Sequence, residues 1–332
     1  MARLDELIAF VLGPFEHLIS PQGSLYWLYL LSAFALAVLV YLAARQRRDG
    51  PVNIGRALAF LFPPRIYRHP SAKLDFRYFL LNTLLFGGLI APMLLSSITV
   101  AHGTVGVLVE LFGVPNEPLV AGTVAQIAAT VGMVIAADLG FYVSHYLQHK
   151  VPVLWEFHKV HHSAEVLHPI TAFRVHPVDQ VLDILLMGSM TGMALGVAAY
   201  GFGTSTGLVT VIGLNAFVFA FNLAGAHLRH SHIWLSYGTR LEHIFVSPAL
   251  HQIHHSLAAR HLDRNLGGML SIWDRVMGTL YVPQAEEHLT FGLTAGEHRN
   301  YTSIIRLYVL PLLKSGKLFL HPFKRDASHD GR

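Results

Sequence analysis

Histidine clusters with the spacing of metal ligands are the feature of this chain that points most directly to chemistry. Fourteen of its 22 histidines lie between His145 and His255. Eight of them form three clusters: His145-x-x-x-His149, His158-x-x-His161-His162 and His251-x-x-His254-His255. Neutral imidazole is the commonest side-chain metal ligand in proteins. The spacing therefore predicts a metal centre built from histidine.

Two of the clusters end in a histidine doublet, which bears on the number of metals. In a helix, positions i and i+4 share one face, with Cβ atoms about 5–6 Å apart, so His145 and His149 can clamp one metal. His161 and His162 are adjacent and point about 100° apart, so they cannot serve one metal in the same way. Because the doublet recurs at His254, the pattern favours two metals side by side.

The composition restricts the ligands and the class of protein. The chain has 332 residues, of which 53% are hydrophobic and 13% are charged, and it has no cysteine. An ordinary soluble domain is about one-quarter charged. The absence of cysteine excludes disulfides, Cys-ligated zinc and iron–sulfur clusters. The His-Glu-x-x-His motif of zinc proteases is also missing, which excludes that class.

Four stretches carry no charged side chain, namely 25–44, 78–109, 118–137 and 184–226. About 20 apolar residues suffice to span a bilayer, so each of the first three is predicted to form one span. The fourth has a turn composition at 201–207, which predicts a hairpin of two short helical arms, of 17 and 19 residues. The predicted fold is all-α and polytopic, with about 4–5 transmembrane or re-entrant helices and a cytosolic histidine-rich helical cap.

The basic residues predict the orientation. The loop at 45–77 carries eight Lys and Arg residues, whereas 102–117 carries none. Positively charged loops stay in the cytoplasm, and this places all three histidine clusters on the cytoplasmic side. A single helix over 118–149 would be about 48 Å long against a hydrocarbon core of about 30 Å. His145 and His149 would then lie on the end that projects from the bilayer.

The clusters and the residues around them resemble the fatty acid hydroxylase / sterol desaturase superfamily of membrane di-iron enzymes. The resemblance covers about 138–282. Its flanking segments are Thr171–Pro177, Ser247-Pro248, Asn265–Gly268, Ile272–Arg275 and Gly278-Thr279. It implies at least four transmembrane helices below a cytosolic cap, two iron ions, dioxygen as co-substrate and attack on a lipid C–H bond.

Further site residues are expected beside the eight clustered histidines. The stretch His230–Ile233 resembles a family segment that supplies another ligand, so His227 and His230 are added as candidate ligands, with His232 as an alternative. His176 and Asp138 are candidates for binding metal or orienting a ligand, although Asp138 could instead form a helix-to-helix hydrogen bond. Carboxylates that could orient ligand imidazoles are Glu156, Glu165, Asp179 and Asp183.

The predicted function is that of a membrane-bound, oxygen-dependent di-iron oxidoreductase that hydroxylates or desaturates a lipid C–H bond. No soluble stretch is long enough for a fused haem domain, so electrons must come from a separate protein, and the basic loop could dock an acidic donor. One alternative is a desaturase acting on a sterol or acyl chain. From another class, a membrane metal transporter or metal-binding protein remains open, although a transporter would place acids and histidines at the bilayer midplane.

Three regions are expected along the chain. Residues 1–117 form an N-terminal membrane region with an amphipathic segment, two spans and the basic loop. Residues 118–282 form the catalytic domain, and 283–332 a cytosolic tail. The Ala/Gly/Leu-rich spans and an ending without a KDEL-type retrieval signal favour a bacterial inner membrane. The partners are a membrane lipid and the electron donor, and not nucleic acid.

Overall fold

The computed structural model describes five parts of the chain: 18–23, 25–46, 53–86, 96–203 and 207–320. The predicted all-α class is confirmed. In the described parts the helices are α1 (Trp27–Gln46), α2 (Ile54–Leu61), α3 (Pro64–Tyr67), α4 (Pro70–Leu85), α5 (Ser97–Phe112), α6 (Gly122–Lys150), α7 (Pro152–His162), α8 (Pro177–Phe202), α9 (Ala216–Leu223), α10 (Thr239–Glu242), α11 (Pro248–His254), α12 (Ile272–Met277) and α13 (Ile304–Leu320). Most of the amphipathic segment predicted near the N-terminus lies outside the described residues.

Three of these helices, α1, α6 and α8, are long and apolar enough to cross a membrane, and α5 is a shorter apolar helix. Helix α6 has 29 residues and is therefore about 44 Å long. It is the single long helix that the sequence predicts over 118–149, and it carries His145 and His149 on its last turns.

Helix α8 packs closely against α5 and α6 through glycines. A Cβ on Gly140 of α6 would lie 2.7 Å from Cα of Met187, and one on Gly192 of α8 would lie 2.5 Å from the carbonyl oxygen of Ser97. Only glycine allows the backbones to approach so closely, as in membrane helix pairs built on small residues. These contacts fix three helices side by side below the histidines.

The prediction of one span over 78–109 is wrong. The stretch is divided between α4 and α5, which have 16 residues each, and 87–95 lie outside the described residues. Helix α5 has its own start, because the Ser96 hydroxyl accepts a hydrogen bond from the Ile98 amide at 3.2 Å, as an N-cap residue does.

The prediction of two short helical arms over 184–226 is also wrong. The first arm belongs to α8, which begins at Pro177 and has 26 residues. The second contains a two-stranded antiparallel hairpin, β1 (Thr210–Val211) and β2 (Leu214–Asn215), followed by the eight-residue α9. Its polar backbone is satisfied by α6: the Val209 amide donates to Thr130 Oγ1 at 2.8 Å. Such pairing is what non-helical backbone at membrane depth requires.

Prolines start the two cap helices that carry the histidine doublets, and also the long helix α8. Pro152, Pro177 and Pro248 are the first residues of α7, α8 and α11, where a missing N–H costs nothing and the fixed φ suits a helix. His176 and Ser247 cap two of these helices by accepting backbone amides. The two doublets therefore lie at the C-terminal ends of two short helices with defined starts.

The buried side chain of Arg174 joins several elements of the cap through hydrogen bonds. Arg174 donates to the carbonyl oxygens of Val160 and Tyr301, to Ser163 Oγ and, at 2.8 Å, to Asp75. These bonds join α4, α7 and the segment before α13, and a paired, fully hydrogen-bonded charge is what a buried site tolerates. Helix α13, within the predicted C-terminal tail, packs on α7.

Candidate metal centre

Nine buried histidines form two compact groups. Within each group, one ring nitrogen from every histidine lies within 4.8 Å of the others. Group A consists of His145, His149, His158, His162 and His254. Group B consists of His161, His230, His251 and His255. The groups adjoin each other, since the ring centroids of His162 and His255 are 4.7 Å apart.

Each doublet is divided between the groups. His162 and His254 belong to group A, whereas their neighbours His161 and His255 belong to group B. This follows from the angle of about 100° between successive side chains on a helix. Helices α7 and α11 thus each contribute imidazoles to both groups.

The nitrogen positions in group B match a shared cation. His230 Nε2 lies 3.1 Å from Nε2 of His251 and of His255, and 3.2 Å from Nε2 of His161. One neutral imidazole can donate through only one nitrogen, so hydrogen bonds cannot satisfy all four atoms. Ligand nitrogens about 2.1 Å from one metal ion are about 3.0–3.4 Å apart, which is the spacing observed.

Group A is oriented by one short segment. His145 Nδ1 donates to the carbonyl oxygen of Leu266 at 2.7 Å, and His254 Nδ1 donates to that of Arg264 at 3.0 Å. His149 Nδ1 lies 3.2 Å from Asp263 Oδ1. Residues 263–266, named here the orienting loop, thus fix the protonated nitrogen of three rings and turn Nε2 inward. Such acceptors set the tautomer of metal-binding histidines.

Two carboxylates hold the orienting loop and the turn that follows it. Asp138 of α6 accepts the Met269 amide at 2.5 Å and the Trp273 indole N–H at 2.9 Å. Asp274 accepts the Leu266 amide at 2.7 Å. The turn that follows the loop also passes very close to α6, because a Cβ on Gly268 would lie 2.7 Å from Asp138 Oδ1.

Burial keeps the imidazoles neutral. It lowers the pKa of His161 and of His254 to about 3, and it lowers the pKa of His255 well below its ordinary value. In group A, Nε2 of His149, His162 and His254 is buried and meets no hydrogen-bond partner in the described residues. Neutral, inward-facing nitrogen atoms are the form in which histidine binds metal, so the donor set fits two metal ions.

Several residues singled out in the sequence lie outside both groups. His227 stacks on Tyr29, with ring centroids 5.6 Å apart. Both nitrogens of His176 face backbone, the Val178 amide and the Tyr308 carbonyl. His232 lies 2.6 Å from the carbonyl oxygen of Phe60. Asp138 contacts the turn after the orienting loop instead of an imidazole.

The candidate orienting carboxylates also differ in position. Asp179 Oδ2 lies 3.4 Å from His158 Nδ1, whereas Asp183 accepts from Ser144 and Gln148. Glu156 pairs with Lys159, and Glu165 lies near His298. The sequence analysis missed Asp263, because nothing in its spacing links it to His149, 114 residues away.

Comparison with known proteins identifies the region that contains the two groups. Residues 130–279 match the family described as Fatty acid hydroxylase. This region belongs to the fatty acid hydroxylase family. The resemblance inferred from the histidine clusters is thereby confirmed, and all nine histidines of groups A and B lie within the fatty acid hydroxylase region.

Curated relatives match about half of the chain. The ornithine lipid hydroxylase OlsE of Rhizobium tropici is 32% identical over 163 residues, which is 49% of this chain and 44% of that protein. The alkylglycerol monooxygenase of Danio rerio is 29% identical, covering 48% of this chain and 32% of that protein. The human alkylglycerol monooxygenase is 30% identical with the same coverage. The chain thus spans less than half the length of these relatives, and no solved structure matches it.

Proposed function

We propose that the chain is a membrane-bound, oxygen-dependent di-iron oxidoreductase that hydroxylates a lipid C–H bond. The observation that carries this proposal is the pair of adjoining, buried histidine groups inside a fatty acid hydroxylase region. We assign the nine histidines of groups A and B as the ligands of two iron ions, and we leave out His227, His176 and Asp138.

The assignment of iron as the metal follows from the chemistry needed to cleave a C–H bond. Acid–base side chains do not cleave an unactivated C–H bond, and bound iron would supply the redox chemistry that uses dioxygen. In hydroxylation, one oxygen atom enters the C–H bond and the other leaves as water. Two electrons come from the donor and two protons from solvent. The protein's part is to hold neutral imidazoles, keep the rings oriented and align the lipid.

Hydroxylation is favoured over desaturation by the relatives. The three relatives bear the names of oxygen-inserting enzymes, one an ornithine lipid hydroxylase and two alkylglycerol monooxygenases. A desaturase would take up no oxygen atom into the product. The two reactions are therefore distinguished by the isotope content of the lipid formed under ¹⁸O₂.

The experiment uses purified protein loaded with iron under anaerobic conditions, reduced, and then exposed to ¹⁸O₂ with membrane lipid extract. We expect about two irons per chain and a lipid product carrying one ¹⁸O. The control is a doubly substituted protein, His161→Ala with His254→Ala. Each of the two groups lacks one histidine in this variant. Metal flux into sealed vesicles without oxygen consumption would contradict the proposal and favour transport.

We also propose that the cap faces the cytoplasm of a bacterial inner membrane and that a separate electron-transfer protein docks near the basic loop. The native chain has no cysteine, so single introduced cysteines report position cleanly. Cysteines placed at the exposed residues Gln46, Glu165 and Ala259 should react from the cytoplasmic side. A cysteine at Asn116 should react from the opposite side. Labelling of Glu165 and Ala259 positions from opposite sides would contradict a shared site.

A further inference from the structure

A cavity leads away from group B. Its volume is about 340 Å³, within the range of small-molecule sites. His230 of group B lines it, together with Leu214 and Val218. These two apolar residues belong to residues 207–226, named here the return segment. Group A contributes no residue to its lining. A ligand in this cavity would therefore approach group B and not group A.

The cavity extends towards the membrane-spanning part of α6. Asn215, next to the lining residue Leu214, donates to the carbonyl oxygen of Thr130 at 3.1 Å. Thr130 lies 15 residues before His145 on one continuous helix, which corresponds to about 22 Å along its axis. The far end of the cavity is thus on the bilayer side, where an alkyl chain has favourable surroundings.

One basic side chain, that of Arg229, lies in the lining of the cavity. Arg229 lines it beside His230, and no Asp or Glu is among its described lining residues. The Nε and Nη2 atoms of Arg229 are buried and meet no hydrogen-bond acceptor in the described residues. The guanidinium is held in place by Phe221, whose ring centroid is 4.7 Å from Cζ. The nearby Asp138 is occupied by backbone amides and the Trp273 indole.

From this arrangement we infer that Arg229 binds an anionic group, a carboxylate or phosphate, of the lipid that occupies the cavity. The inference rests on the proposed function, since it names the class of its substrate. Guanidinium presents paired N–H donors that match these anions. Because Arg229 and His230 are consecutive, the anionic group lies close to group B. The C–H bond to be hydroxylated therefore lies near the charged end of the lipid, with the tail along Leu214 and Val218.

The test measures binding without turnover, using zinc-loaded protein, which cannot perform the redox reaction. Titration calorimetry compares three ligands of equal chain length: dodecanoate, dodecyl phosphate and dodecanol. We expect at least one of the two anions to bind about tenfold more tightly than the alcohol. Arg229→Gln should abolish that difference, and Arg229→Lys should retain part of it. Arg240→Gln, at an exposed arginine of α10, is the matched control and should behave as wild type.

Equal binding of the three ligands to the wild-type protein would overturn the inference, and this comparison needs no variant. Inorganic phosphate or acetate binding as tightly as its dodecyl counterpart would also overturn it, because the site would then take a free anion. The proposed function is tested separately by ¹⁸O₂ turnover. If neutral and anionic lipids were hydroxylated equally, the inference would fail while the function stood. If no lipid were hydroxylated although Arg229-dependent binding held, the proposed function would fail.

Discussion

Groups A and B contain the same kind of ligand but are supported in different ways. In group A, the orienting loop fixes Nδ1 of three of the five rings, and Asp179 lies beside a fourth, His158. In group B, Nδ1 of His251 is buried and finds no acceptor in the described residues. Only group B borders the cavity.

This difference predicts different roles for the two proposed metal sites, which share helices α7 and α11. A ring whose second nitrogen is hydrogen-bonded is held in one tautomer and orientation, so group A is the more rigid site. Rings without that restraint can turn slightly as a substrate enters, which suits the group beside the cavity. The comparison predicts that substitutions in the orienting loop weaken metal binding in group A more than in group B.

The strongest test compares two single variants. They replace the adjacent residues His161 and His162, which belong to different groups. His162→Ala should remove a ligand from group A, and His161→Ala should remove one from group B. Each should lower the iron content from about two per chain towards one and abolish turnover. Iron content and the Mössbauer spectrum are the measurements. Identical loss of both irons in both variants would show that the groups do not bind metal independently.

A smaller effect is expected at Asp263, which orients His149 without belonging to either group. Asp263→Ala should weaken metal binding in group A by about 10–100-fold, as is usual for partners of ligand histidines, and leave group B unchanged. Lys150→Ala is the control, since Lys150 also pairs with Asp263, at 2.7 Å. Competition with a chelator measures the affinity. An equal loss of affinity in both variants would mean that the intact Lys150–Asp263 ion pair, and not the contact between Asp263 and His149 alone, supports group A.

Gly268→Ala tests the close approach of the turn that follows the orienting loop. The added Cβ would lie 2.7 Å from Asp138 Oδ1 and from Cδ1 of Phe141, and overpacking of this kind costs about 1–3 kcal/mol. We expect a lower Tm and weaker metal binding in group A. Gly188→Ala is the matched control, because no atom lies within 4 Å of its Cβ position. A Tm equal to that of wild type would contradict the close contact seen at Gly268.

The sequence predicts the parts of this centre that depend on helical spacing. It does not predict the parts that depend on contacts with distant residues or with backbone atoms. Helical spacing predicts the division of the doublets, because successive side chains diverge on any helix. The return segment at 207–226 was mispredicted, since its apolar composition resembles a helix while its backbone is satisfied by Thr130 of another element. The orienting loop escaped prediction because two of its three acceptors, on Arg264 and Leu266, are backbone carbonyls.

The smallest expected effect on metal content separates two histidines that the sequence analysis both proposes as ligands. His227 and His230 are three residues apart, but a 3₁₀ turn at Ala226–Leu228 leaves His227 stacked on Tyr29 and His230 within group B. His227→Gln should therefore keep about two irons per chain, whereas His230→Gln should lose iron from group B. Because His227 lines the cavity, its substitution should alter lipid affinity more than metal affinity. Loss of iron from His227→Gln would place His227 among the ligands and contradict the nine-histidine assignment.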